Sequence, residues 1–144
     1  MNVANEMPSS NNFTGFSRAV IQYSEAFAQI LDKAKAGALT DVDWKPFEQL
    51  VDVDAFERVG VFLTPRAEII QWPTYRTYIS VYGRGASWEG TLRHITETPG
   101  RVILELEERN TRDGVTDVSY TVTIYEFNEA GKLRHLDVYV MPRG

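Results

Sequence analysis

Residues 88–140 alternate. Over 88–97, 101–109, 118–127 and 133–140, apolar side chains recur at every second position. Successive side chains of a strand point to opposite faces, so the pattern predicts four antiparallel strands with one buried face. The joints carry turn residues: Thr98-Pro99-Gly100, Asp113-Gly114 and Asn128 to Gly131. The register that keeps apolar residues together turns Trp88, Leu92, His94, Val102, Leu104, Leu106, Tyr120, Val122, Ile124, Leu136, Val138 and Val140 inward. It turns Glu89, Thr91, Arg93, Ile103, Glu105, Glu107, Thr121, Thr123, Tyr125, His135, Asp137 and Tyr139 outward. A slip of one residue exchanges the two sets, so each assignment to a face depends on this choice.

Upstream the period changes. Phe16, Val20, Tyr23, Phe27, Ile30, Leu31 and Ala34 recur every three or four residues. They predict an amphipathic helix over 16–36, with Gly37 at its left-handed end. About 20 residues at 1.5 Å each make a rod of roughly 30 Å, enough to cross four strands. A shorter helix follows, with Asp43 as N-cap, Pro46 in the first turn, and Trp44, Phe47, Leu50 and Val51 on one face. A short apolar strand is predicted over 58–63, ending at the break Thr64-Pro65, whereas 68–72 shows no clear period. A third helix begins at Trp72-Pro73-Thr74, carries Tyr75, Tyr78, Ile79 and Tyr82 at helical spacing, and ends at Gly83 and Gly85. Its three tyrosines fit either core packing with hydroxyls at the edge or a pocket wall.

Composition removes several classes of function. The 144 residues suit one domain, expected over 13–144 after a flexible tail at 1–12. The net charge of −5 and the lack of a Lys/Arg run argue against a nucleic-acid partner. The absence of cysteine removes thiolate nucleophiles, disulfides and zinc–thiolate sites, and fits a cytoplasmic protein. No apolar run reaches the roughly 20 residues of a membrane helix. Two histidines without metal-ligand spacing predict no metal site, and Gly83-Arg84-Gly85 lacks the context of a phosphate loop.

Three helices, a short strand and a long antiparallel sheet, in this order, resemble the nuclear transport factor 2-like superfamily. The stretch Tyr125-Glu-Phe-Asn-Glu-Ala-Gly-Lys-Leu-Arg-His-Leu-Asp-Val-Tyr-Val140 is similar to the last hairpin of its SnoaL-like, polyketide cyclase-like branch. Phe56-Glu-Arg-Val-Gly60 and Trp88-Glu-Gly-Thr91 are similar to a bacterial subgroup of that branch. The resemblance covers 16–140. It implies an α+β, cystatin-like cone: three N-terminal helices packed on a curved, mainly antiparallel sheet, with a cavity at the open end and homodimers formed through the sheet. In epoxide hydrolases of this fold the last strand supplies a catalytic aspartate; that position here is Val138, with Asp137 turned outward.

The cavity so implied would be lined by Tyr23, Phe27, Trp44, Tyr78, Tyr82 and Trp88, an aromatic wall for a hydrophobic, ring-containing molecule. A filled core is the competing reading. His94, placed among leucines and facing Tyr120, is the candidate proton carrier, with Tyr120 as its partner. A lone histidine is also a common hydrogen-bonded core residue. Thr121, Thr123, Tyr125, His135, Asp137 and Tyr139 form a polar, aromatic face suited to a homodimer contact. With the opposite register, His135 and Asp137 would be the pocket's base and acid. The function expected is a cofactor-independent cyclase, isomerase, dehydratase or lyase; the alternative is a non-catalytic ligand-binding or protein-interaction domain of the same fold.

Overall fold

A computed structural model describes residues 7–143. In order, the chain forms α1 (Gly15–Lys35), a tight turn of 3-10 helix (Asp41–Trp44) running into the one-turn α2 (Lys45–Glu48), β1 (Glu57–Gly60), β2 (Glu68–Ile70), α3 (Trp72–Gly85), β3 (Ser87–Thr98), β4 (Arg101–Arg112), β5 (Val115–Phe127) and β6 (Leu133–Pro142). The six strands make one curved sheet in the order β2-β1-β6-β5-β4-β3. β1 runs parallel to β6, and the other neighbours are antiparallel. The three helices cover one face, giving the α+β cone. Residues 68–70, which showed no period, pair with β1 as a short edge strand.

α1 buries the stripe its spacing predicts: Val20, Tyr23, Ile30, Leu31 and Ala34 are all buried. Gly37 has φ +68°, and the N–H groups of Gly37 and Ala38 donate to the carbonyls of Ala34 and Lys33. Two of the helix's orphan carbonyls are thereby satisfied. α3 crosses α1 at Gly83, where a Cβ would lie 2.9 Å from Ala34 Cβ, so only glycine permits this approach. Beneath both helices Trp44, Phe47, Phe56 and Trp72 form an aromatic core with ring centroids 5.1–6.3 Å apart. Of the tail expected over 1–12, residues 1–6 lie outside the described part. Residues 10–12 form a 3-10 turn, and the Ser10 N–H donates to Glu25 on α1.

The turns set the sheet's parity, and they overturn part of the sequence register. Asp113 and Gly114 alone connect β4 to β5, with φ of +53° and +78°. Both values are positive, as a primed hairpin turn requires. A two-residue loop places each even position of β4 opposite an odd position of β5: Val102 faces Tyr125, Leu104 faces Thr123 and Leu106 faces Thr121. Opposed residues share a face. So Thr121, Thr123 and Tyr125 point toward the helices and are buried, whereas Tyr120 points away. In β6 the expected parity holds, with Leu136 and Val138 inward.

The turn at Pro99-Gly100 has the same length, pairing Thr98 with Arg101. It therefore turns Ile95, opposite Leu104, inward. A register shift between Leu92 and His94 then restores even parity toward Trp88. That bulge sets His94 opposite Glu105 on the outer face, exposed to solvent.

The Asp113-Gly114 turn should be sensitive to backbone chemistry alone. No atom lies within 4 Å of a Cβ built at Gly114, so Gly114→Ala tests only the cost of positive φ. Urea unfolding should show a loss of about 1–2 kcal/mol. A variant as stable as the parent would contradict the turn and the parity it sets.

Candidate functional site

Between the sheet and the helices lies a cavity of about 390 Å³. α1 contributes Tyr23, Ser24 and Phe27, and α3 contributes Tyr75 and Tyr82. β1 and the residues after it add Arg58, Val61, Phe62 and Leu63. The sheet supplies Trp88 from β3, Leu106, Glu108, Asn110 and Arg112 from β4, and Ser119, Thr121, Thr123 and Tyr125 from β5. Leu136, Val138 and Val140 of β6 close the lining. The reversed β5 parity gives this wall hydroxyl groups where the sequence register placed Tyr120, Val122 and Ile124.

Four expected lining residues are in place: Tyr23, Phe27, Tyr82 and Trp88. Phe27 meets Trp88 edge to face at 5.6 Å. Trp44 is not among them. It is buried against Phe47 and Trp72, with the Arg76 guanidinium 4.7 Å above its ring. Tyr78 is also elsewhere, its hydroxyl donating to Glu68 at 3.0 Å. His94 and Tyr120, the expected proton-handling pair, lie on the far side of the sheet. The guanidinium carbons of Arg93 and Arg143 lie 4.1 Å and 5.5 Å from the Tyr120 ring centre. Neither residue lines the cavity, so the placement that motivated the pair does not hold.

The polar chemistry inside comes from residues the sequence reading passed over. Tyr23 and Tyr75 share a hydrogen bond of 2.6 Å between their hydroxyls, both side chains being buried. Burial pushes Tyr23 well above the usual tyrosine range, and the neighbouring Tyr75 and Tyr125 add to the shift. Burial also raises Tyr75, though the adjacent Arg58 charge and the Tyr23 hydrogen bond pull it back in part. Tyr125 and Tyr82 are raised, by burial first and then by neighbouring groups that include Glu108. These phenols thus stay protonated, as hydrogen-bond donors, across the neutral range.

Arg58 occupies the inward parity of β1 between Phe56 and Gly60 and is only 8% exposed. Its guanidinium carbon lies 4.8 Å from the Phe62 ring centre and 5.6 Å from that of Tyr75. Glu108 is the carboxylate of the lining, and one of its oxygens accepts from Trp88 Nε1 at 2.5 Å. Tyr82 donates to Asn110. One signal was present in the sequence: Arg58 alternates with Phe56 and Gly60 on the parity this short strand buries, although arginine is a mostly exposed residue type.

On the outer face, Thr121, Thr123 and Tyr125 drop out of the expected dimer surface because they point inward. His135, Asp137 and Tyr139 remain there. His135 bridges two strands, with Nδ1 3.2 Å from Glu57 and Nε2 2.9 Å from Asp137. The β5–β6 register sets Glu126 beside it. Glu126, His135 and Asp137 bring ligand atoms within 4.8 Å of one another, a grouping that sequence spacing did not reveal. With both ring nitrogens engaged, a proton satisfies the cluster.

No protein-family model matches the sequence, and no curated protein matches it. Solved structures do. A protein of unknown function from Burkholderia pseudomallei, described as NTF2-like, superposes with a TM-score of 0.67 at 10% identity, over 90% of this chain and 92% of that one. A computationally designed 17-OHP binder gives 0.59 at 14% identity, over 87% and 98%. An LEH-like epoxide hydrolase from M. tuberculosis gives 0.55 at 11% identity, over 83% of each chain. The chain therefore has the nuclear transport factor 2-like fold, a cone with an aromatic-rich interior. Among the described residues no helix is long and apolar enough to cross a membrane.

The His135 bridge gives a pH signature. Partial burial works against the charged ring, but the Asp137 and Glu57 carboxylates outweigh it and hold the pKa above its ordinary 6.5. A raised folded-state value means that the stabilisation is complete below about pH 6.5 and fades as pH rises through the raised value. The stability gap between parent and His135→Gln should be largest near pH 6 and shrink toward pH 9 in urea titrations. A gap that widens with pH would contradict the bridge.

Proposed function

We propose that this chain binds a hydrophobic, ring-containing small molecule in the cone cavity and catalyses a cofactor-independent proton transfer on it. The reaction class is that of cyclases, isomerases, dehydratases and lyases, in keeping with the SnoaL-like resemblance. The observation that carries this reading is the buried Tyr23–Tyr75 hydroxyl pair at 2.6 Å inside an aromatic cavity. In such a pair one phenol donates to the other, and the hydroxyl that accepts keeps its own proton for a substrate carbonyl, where it can stabilise the oxyanion that forms when an adjacent carbon loses its proton. Glu108, from the sheet side of the same cavity, is the carboxylate that would take that proton and return it. Phe27 and Trp88 would hold the ring and exclude water.

Epoxide hydrolysis is the weaker fit. The inward position of the last strand is Val138, and Asp137 sits outside, bonded to His135. Non-catalytic binding is the second reading, and it rests on the Trp88 Nε1 bond that already engages Glu108. The outer face, now reduced to His135, Asp137 and Tyr139, is proposed as a homodimer contact.

Aromatic ring ketones should raise the melting temperature and quench Trp88 fluorescence, since a ligand of the native state stabilises it by mass action. Phe27→Ala should weaken binding by about tenfold. Deuterium exchange at the carbon beside the ketone, followed by NMR in D2O, reads the proton transfer without knowledge of the natural substrate. Tyr75→Phe should slow that exchange by about 10²–10³ while leaving binding near the parent value. His94→Ala should change neither. Binding without exchange would favour the binding-module reading, and loss of exchange in His94→Ala would contradict the assignment.

A further inference from the structure

The cavity's interior carries a charge that the protein does not neutralise. Arg58 lines it from β1, is more than nine-tenths buried, and among the described residues no carboxylate forms an ion pair with it. Its Nη1 has no hydrogen-bond partner. Across the cavity wall Thr121 is 3% exposed, and its Oγ1 is likewise unpartnered. Two such groups in one cavity are unusual, because buried polar atoms are almost always satisfied and a buried cation is normally paired. The face of Phe62 offsets part of the guanidinium's charge and the Tyr75 hydroxyl takes one of its hydrogen bonds, but neither supplies an acceptor for Nη1.

The rest of the wall points the same way. Its charged residues are Arg58, Arg112 and Glu108, so the lining is positive by one in a chain whose net charge is −5. Charge of that sign, walled by aromatic rings, favours an anion of matching size. A guanidinium that keeps Nη1 unpartnered, in a cavity that also holds an unpartnered hydroxyl, matches a planar carboxylate, which can accept from both.

We propose that the natural ligand is a ring-bearing carboxylic acid whose carboxylate docks on the Arg58 guanidinium, with the Thr121 hydroxyl as second donor. This rests on the cavity being the ligand site and narrows its occupant from ring-containing molecules in general to anionic ones. The ring then lies toward Phe27, Phe62 and Trp88, and the Tyr23–Tyr75 pair stands beside the acid's neighbouring atoms. The arrangement also explains why a buried cation is retained without a counter-ion: the ligand supplies it.

The test uses the full chain and two probes of one shape, 2-naphthoic acid and 2-naphthamide, titrated by calorimetry at neutral pH. The acid should bind the parent at least about tenfold more tightly than the amide. Arg58→Met should remove that preference and leave amide binding near its parent value. Thr121→Val, a milder change, should reduce the preference in part. A readout without ligand accompanies these: replacing an uncompensated buried charge by an apolar side chain of similar length should leave the melting temperature of Arg58→Met unchanged or higher. Equal binding of acid and amide to the parent would overturn the carboxylate subsite while leaving the cavity as a ligand site. So would an Arg58→Met variant that melts far below the parent, since Arg58 would then be structural. If neither probe binds the parent, the cavity reading itself falls and takes this inference with it.

Discussion

A two-residue turn governs the interior of this protein. Asp113-Gly114 closes β4 onto β5 with both residues at positive φ, and that geometry leaves no freedom in how the two strands face each other. Leucines of β4 consequently sit opposite threonines of β5 on the cavity side. An intervening loop one residue longer would have lined the same cavity with Val122 and Ile124. The cone would then hold a drier, purely apolar space. As it is, Thr121, Thr123 and Tyr125 bring hydroxyls inside, next to the Tyr23–Tyr75 pair and Arg58.

Those polar groups sit where the fold can least easily satisfy them. The aromatic cluster around Phe47 and Trp72 packs as a dry core, and the Trp72 indole N–H finds Glu48 at 2.5 Å. Higher in the cone, Arg58 and Thr121 keep unpaired atoms. A protein selected for stability alone would bury leucine at both positions. On the proposed reading the two are kept for an occupant of the cavity, which would meet the raised tyrosines as protonated donors rather than phenolates.

Much of this was legible in the residues. The stripe on α1, its glycine end at Gly37, the third helix from Trp72 and the strands of the sheet follow from periodicity and punctuation. The parity of β5 was legible too, because Asp-Gly is a two-residue hairpin signal and such a hairpin pairs even positions with odd ones. Grouping apolar residues instead drew Tyr120 inward, and the reading of His94 followed it. The bulge after Leu92 left no mark in the sequence, since its effect is to repair parity between two otherwise regular stretches. Trp44 was misplaced for another reason: an aromatic residue at helical spacing reads the same whether it meets a ligand or other rings. The grouping of Glu57, Glu126 and Asp137 about His135 depends on strand order, which local pattern does not encode.

The chain contains no cysteine, so single thiols report cleanly on which way neighbouring side chains point. Tyr120→Cys and Thr121→Cys differ by one position and should differ sharply in reactivity toward a small thiol reagent. The account predicts that Cys at 120 reacts readily in the native protein, whereas Cys at 121 reacts more slowly by about tenfold or more and is further shielded by bound ligand. Fast labelling at 121 with protection at 120 would reverse the sheet's two faces and contradict the site built upon them.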